Sequence, residues 1–169
     1  LLNFGFTTLV QNRTEKDGSV VSDIQQPLAL GGITDGITNL EITAAYATIA
    51  NQGTYTRPVF YSKVVDSNGR ILLDNTTPTT HTVLKSSTAS LLTQGMTSVI
   101  TEGTGKACAL TDGMPVSGKT GTTSSAYDLW FCGYTPYLTA SIWTGYDENK
   151  ELGSDQAYHE RLWSKIMSQ

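Results

Sequence analysis

Ser117-Gly118-Lys119-Thr120-Gly121-Thr122-Thr123 packs one cation, two glycines and a run of side-chain hydroxyls into seven residues. In a strand, alternate side chains share a face. Lys119, Gly121 and Thr123 then fall on one side, and Thr120 and Thr122 on the other. The glycines let another backbone come close. A lysine among hydroxyls suits holding a carboxylate or helping to move a proton, and backbone N–H groups suit a developing oxyanion. The plain alternative is a glycine-bearing edge strand with a solvated lysine. The seven residues alone leave both readings open.

The same residues satisfy a second pattern. Gly113-Met114-Pro115-Val116-Ser117-Gly118-Lys119-Thr120 reads as G-x-x-x-x-G-K-[ST], the phosphate-loop signature. That loop needs a buried strand before it and a helix after it. Cys108 to Asp112 is too short and polar for the strand. Gly121-Thr122-Thr123-Ser124-Ser125 is a poor helix opening. The context therefore favours a strand entered through Pro115 and Val116.

Downstream, the spacing predicts strands over Pro115–Thr123, Asp128–Tyr134 and Leu138–Tyr146. Thr135-Pro136 forms a tight antiparallel connection between the last two. An amphipathic helix is expected over Ser154–Met167, with Tyr158, Leu162, Ile166 and Met167 inward and His159-Glu160 on the solvated face.

Upstream, Ser86 or Ser87 caps a helix with Ala89, Leu92, Met96, Val99 and Ile100 on one face. It ends near Gly103-Thr104-Gly105. Before it, Val59–Val65 and Arg70–Leu73 flank the turn Asp66-Ser67-Asn68-Gly69, a hairpin signal, and Thr76–Thr82 reads as a polar linker. Thr38 and Glu41 form a capping box for Leu40–Ala50, which is apolar almost all round and expected to be buried. Residues 1–37 read as loop-rich. Helices, then an antiparallel sheet, then a helix argue for an α+β fold, with the sheet packed against helices.

Composition bounds the function. The 169 residues are 38% hydrophobic and 15% charged, with a net charge of −4. No basic run exists to neutralise phosphates, which disfavours nucleic-acid binding. No apolar run is long enough to span a bilayer. His81 and His159 lack ligand-spaced partners, so neither a metal nor a cofactor is expected. A Ser-His-Asp triad has no G-x-S-x-G elbow to support it. Trp130, Phe131, Trp143 and Trp163 read as core. Leu1 is not an initiator Met, so the chain reads as a piece of a longer one.

Five segments taken together point to a family. Gly118-Lys119-Thr120-Gly121-Thr122-Thr123 is followed by Asp128-Leu129-Trp130-Phe131-Cys132-Gly133-Tyr134-Thr135-Pro136. Before them come Leu28-Ala29-Leu30-Gly31-Gly32 with Thr38-Asn39-Leu40-Glu41, then Ala44-Ala45-Tyr46-Ala47-Thr48-Ile49-Ala50-Asn51-Gln52-Gly53, then Glu102-Gly103-Thr104-Gly105. In order and spacing, over residues 27–146, these resemble the transpeptidase domain of class A (bifunctional) penicillin-binding proteins. The chief departure is Asn39, where the family usually has Pro.

The resemblance implies a β-lactamase/transpeptidase-like fold and a serine acyl-enzyme mechanism. It makes Lys119 and Thr122 the catalytic residues: Lys119 keeps the site electropositive and joins the proton network, and the Thr122 N–H is an oxyanion donor. Thr120, Gly121, Thr122 and Thr123 become the substrate-binding set, holding a carboxylate. The family's Ser-x-x-Lys and Ser-x-Asn motifs have no match here; the nearest miss is Thr82-Val83-Leu84-Lys85. Residues 1–169 are therefore expected to be the carboxy-terminal portion of the domain. The implied partners are the upstream half, the D-Ala-D-Ala stem peptide of peptidoglycan and β-lactam antibiotics. The implied location is the extracytoplasmic face of the bacterial membrane, with the anchor upstream. Transpeptidase and D,D-carboxypeptidase readings both remain open.

Cys108 and Cys132 read as free, partly buried thiols. Thiol titration of the denatured, unreduced protein should find both; finding none would mean a disulfide.

Overall fold

A computed structural model describes residues 1–153, 155 and 157–168. The centre is an antiparallel sheet of β7 (Ser117–Thr122), β8 (Asp128–Tyr134) and β9 (Thr139–Gly145), in that order. Three long helices surround it: α1 (Asn39–Ala50), α2 (Ser86–Thr101) and α3 (Tyr158–Met167). Short two-stranded ribbons complete the chain. They are β1 (Arg13–Thr14) with β2 (Val20–Val21), β3 (Thr54–Thr56) with β6 (Thr80–Thr82), and β4 (Lys63–Val65) with β5 (Ile71–Asp74). The α+β expectation and the three-strand order hold. The phosphate-loop pattern is incidental, because Ser117–Thr122 is itself a strand and another strand follows it.

The sheet's register follows from its glycines and one ring. Gly118 faces Gly133 across the β7–β8 ladder. A Cβ on Gly118 would lie 2.6 Å from Phe131 Cζ, and one on Gly133 would lie 2.6 Å from Phe131 Cε1. Phe131 is fully buried and meets Trp163 edge-on, centroids 5.0 Å apart at 76°. Ile100, Cys108, Leu110 and Val116 close the core around this pair. The β8–β9 turn is tight: Thr135 N donates to Leu138 O at 2.9 Å, and Thr135 Oγ1 accepts from the Tyr137 and Leu138 N–H groups.

α1 begins with the expected capping box. Glu41 also accepts from Thr7 N and Thr7 Oγ1, both at 2.7 Å, and from Thr8 Oγ1 at 3.0 Å, so it ties the N-terminal segment to the helix start. Partial burial opposes its ionisation, but these hydrogen bonds and those from Thr38 win and bring its pKa down to about 2. Only Ala44, Ala45 and Thr48 of α1 are fully buried. The all-round burial expected from its sequence does not occur, because the sheet and β3 cover one side and leave Leu40 exposed.

Other expectations need correction. Val59–Ser62 lies outside the hairpin strand, and the polar linker contains β6, which pairs with the unforeseen β3. Gly53, at φ +88°, makes that pairing feasible. It approaches the Leu84 carbonyl too closely for any side chain, and its own carbonyl accepts from Val83 and Leu84. The N-cap of α2 is Lys85, with no serine cap. Leu92 is exposed; Thr93 and Thr97 instead face the sheet, where their hydroxyls reach Tyr134 OH at 2.7 Å and Ser117 Oγ at 2.8 Å.

The rotation of α3 is the largest correction. Leu162 and Ile166 are exposed, and the buried residues are His159, Glu160 and Trp163. One large ring outweighs an aliphatic row: Trp163 docks on Phe131 and its Nε1 donates to Ala140 O at 3.0 Å. Trp143, expected in the core, is 38% exposed. Ser154, the expected start of this helix, lies outside the described residues.

Two outcomes check this packing. Trp163→Ala should cost about 3–5 kcal/mol in denaturant unfolding, while Leu162→Ala should stay within about 0.5 kcal/mol. Glu41→Gln should cost about 1–2 kcal/mol at pH 7. Because the folded pKa is depressed, the Glu41 contribution is complete above the unfolded value of 4.5 and is lost as pH falls through about 2. The stability gap between wild type and Glu41→Gln should therefore narrow in acid.

Candidate active site

Among the described residues β7 pairs only with β8, which leaves its other edge open. Two crowded positions fix which backbone groups point there. The Cys132 carbonyl lies beside Gly118, and the Ser117 carbonyl beside Gly133. Ser117, Lys119 and Gly121 therefore direct their backbone groups into the ladder. In an antiparallel pair the alternate residues turn theirs away. Thr120 and Thr122 thus present N–H and C=O at the open edge. The Thr122 N–H is available there as a donor.

The Lys119 ammonium reaches the same edge. Its Nζ donates to Thr120 O at 2.9 Å and lies 3.4 Å from Thr120 Oγ1. Thr120 Oγ1 is also 2.7 Å from Thr104 Oγ1, which joins the loop after α2 to the strand. Thr122 is exposed, and among the described residues its hydroxyl has no partner. Gly121 lies against Trp130, where an added Cβ would come within 3.2 Å of the Trp130 Cβ. Lys119, Thr120, Gly121 and Thr122 are thus gathered along one edge.

Thr123 behaves differently from the rest of the expected set. Its Oγ1 donates to Asp128 Oδ2 at 3.2 Å and accepts from Asp128 N at 2.9 Å. Asp128 Oδ1 in turn accepts from Trp143 Nε1 at 2.9 Å. The Thr123 hydroxyl is engaged in the β7–β8 turn, and Asp128 orders that rim.

Sequence reasoning missed two residues beside the strand. Thr104, Thr120, Thr122, Asp155, Ala157, His159 and Glu160 line one cleft. His159 is buried, and among the described residues neither ring nitrogen has a hydrogen-bond partner. Burial holds its pKa below the ordinary imidazole value, and burial pushes the Glu160 carboxyl up. Asp155 is paired with Arg161. A stripe drawn through Trp163 at i−3 and i−4 runs through Glu160 and His159. Choosing Trp163 rather than the leucine row would have found them.

Both cysteines are free and buried. Burial raises the Cys108 pKa, with Glu160 adding to the effect, and burial alone pushes Cys132 up to about 12. Neither is a thiolate nucleophile near neutral pH.

Residues 1–168 match the family model described as the penicillin binding protein transpeptidase domain. A penicillin-binding protein 1A of Aquifex aeolicus is 40% identical over 126 residues, which is 75% of this chain and 17% of that protein. A penicillin-binding protein 1A of Clostridium acetobutylicum is 38% identical over 140 residues, 83% of this chain and 17% of that protein. The chain thus spans 17% of the length of these relatives. Among solved structures, the penicillin-binding protein PonA1 from Mycobacterium tuberculosis superposes with a TM-score of 0.73 at 29% identity, covering 91% of this chain and 42% of that one. The same protein has been solved in complex with penicillin V. With the open Lys-Thr-Gly edge and a match along almost its whole length, the chain belongs to the penicillin-binding protein transpeptidase domain family.

Proposed function

We propose that this chain supplies the Lys-Thr-Gly half of the active site of a serine-type D,D-transpeptidase that cross-links peptidoglycan and is acylated by β-lactams. The observation that carries this reading is the open edge of β7, along which lie the Lys119 ammonium, the Thr122 hydroxyl and the Thr122 N–H. An extended stem peptide ending in D-Ala-D-Ala can add to such an edge as a further strand. Its terminal carboxylate is held by Thr120 and Thr122. Lys119 favours that anion and sits within reach of the proton traffic around the attacking serine.

The nucleophile is a serine of the upstream half of the domain, activated by the lysine one helical turn beyond it. Attack on the D-Ala carbonyl forms a tetrahedral oxyanion, and collapse releases the terminal D-Ala and leaves an acyl-enzyme. An acceptor amine then displaces the serine. The Thr122 N–H stabilises the oxyanion in both halves of the reaction; losing one such donor costs enzymes about 3 kcal/mol. The reading places the intact protein at the extracytoplasmic face of the membrane, held by a segment outside this chain. No helix among the described residues is long and apolar enough to cross a membrane. Apolar side chains such as Leu30, Phe60, Tyr137 and Leu138 stand exposed, as expected if another part of the domain packs here.

The isolated chain should form no covalent adduct with penicillin, because Ser117, Ser124 and Ser125 lack the Ser-x-x-Lys spacing that puts an amine beside the hydroxyl. The protein carrying both halves should gain one penicilloyl group, on a serine outside this numbering. In that protein, Lys119→Ala should slow acylation by about 100-fold or more without lowering the melting temperature. Lys119→Arg should also impair it, since a planar fork does not replace a compact ammonium. Mass spectrometry of the adduct decides the matter: a stable adduct on the isolated chain refutes this division of labour.

A further inference from the structure

The Glu102-Gly103-Thr104-Gly105 loop has so far served only to mark the family. Its geometry gives it work to do. The loop is fastened to the end of α2, with Gly103 N donating to Ser98 O and Gly105 N to Val99 O, both at 2.9 Å. Gly103 has no room for a side chain, and one at Gly105 would be tight. A Cβ on Gly103 would lie 2.9 Å from Val99 Cα, and one on Gly105 would lie 3.0 Å from Ile100 Cδ1 and 3.4 Å from Phe131 Cε2. The two glycines hold the loop flush against the helix and the core. Thr104 between them is aimed at β7, with its hydroxyl 2.7 Å from Thr120 Oγ1.

We infer that Thr104 is a positioning residue for Thr120, setting that hydroxyl to donate to the carboxylate of the incoming peptide or β-lactam. This rests on the function proposed above. A threonine hydroxyl has one proton and two lone pairs. Lys119 Nζ, which can only donate, lies 3.4 Å from Thr120 Oγ1. Among the described residues, Thr104 is the other side-chain partner of that oxygen. When Thr104 donates, both Thr120 lone pairs are filled and its proton is free for a carboxylate. Donors already engaged in this way strengthen the next bond in the chain. With the hydroxyl of Thr104 removed, Thr120 loses one of these fixed partners and its rotor is held by Lys119 alone.

The surroundings fit an anionic guest. Asp155 is already paired with Arg161. Glu160 is buried, which favours its neutral form. The cleft face that Thr104 shares with Thr120 and Thr122 therefore offers hydroxyl donors, with the Asp155 charge already matched by Arg161.

The test uses the protein carrying both halves of the domain, and the second-order rate constant for acylation. The probes are benzylpenicillin and its methyl ester, which lacks the carboxylate charge. Thr104→Val should slow acylation by benzylpenicillin about tenfold. Thr104→Ser, which keeps the hydroxyl, should stay within about twofold of wild type. With the methyl ester, wild type, Val and Ser variants should react alike. The loss with benzylpenicillin should appear as weaker binding before acylation, with the limiting acylation rate little changed. Thr104→Ala serves in place of Val if the added methyl unsettles the loop, and melting temperatures verify folding. A Val variant equal to wild type, or equally slowed with acid and ester, overturns the inference. Wild-type protein that is not acylated by either probe overturns the proposed function as well, so the two failures are distinguishable.

Discussion

The packing of Phe131 against backbone is the constraint on which the site depends. Three glycines, Gly105, Gly118 and Gly133, close on this one ring from the α2 loop, β7 and β8. Trp163 of α3 meets it edge-on from the remaining side. A ring held between close backbone and a second ring cannot move without displacing several elements together. It therefore fixes the β7–β8 register. A slip of one residue would turn every side chain of β7 to the opposite face. Lys119 would then face the core, and the Thr122 N–H would point into the ladder.

The elements around that ring also explain how the edge of β7 becomes chemically rich at little cost. Its polar groups stand at an open edge, where water satisfies them. Polar groups buried nearby are paired, Ser117 with Thr97 and Thr93 with Tyr134, and at the more open edge Thr120 pairs with Thr104. The hydroxyl row of α2 acts as a spacer between helix and strand, taking the place that leucines would fill in a purely apolar contact.

Below the strand, His159 and Glu160 put two titratable groups in the same buried stripe, with opposite dependence on pH. The His159 pKa is depressed, so its neutral form supports the fold above the unfolded value of 6.5, and that support is lost as pH falls through the folded value. The Glu160 pKa is raised, so its support is present below 4.5 and is lost as pH rises through the folded value. Burial thus favours the neutral form of both groups at the floor of the cleft.

Local sequence determined the elements whose signals are local. The Thr38–Glu41 capping box, the Asp66–Gly69 turn, the Thr135-Pro136 connection and the three sheet strands were all legible, because each rests on residues a few positions apart. Lys119, Thr120, Gly121 and Thr122 were legible as a cluster for the same reason. Tertiary structure alone decided three things. It turned α3 on Trp163 rather than on Leu162 and Ile166, since the winning contact is with Phe131, 32 residues earlier in the chain by the numbering of the pair. It joined β3 to β6 across 24 residues, from two segments too short and polar to announce themselves. It also engaged Thr123 with Asp128 and brought Thr104 to Thr120, dividing four neighbouring threonines into different tasks. Composition and spacing carry no record of which hydroxyl meets which partner; that depends on distances set only once the ring, the glycines and the helices are packed together.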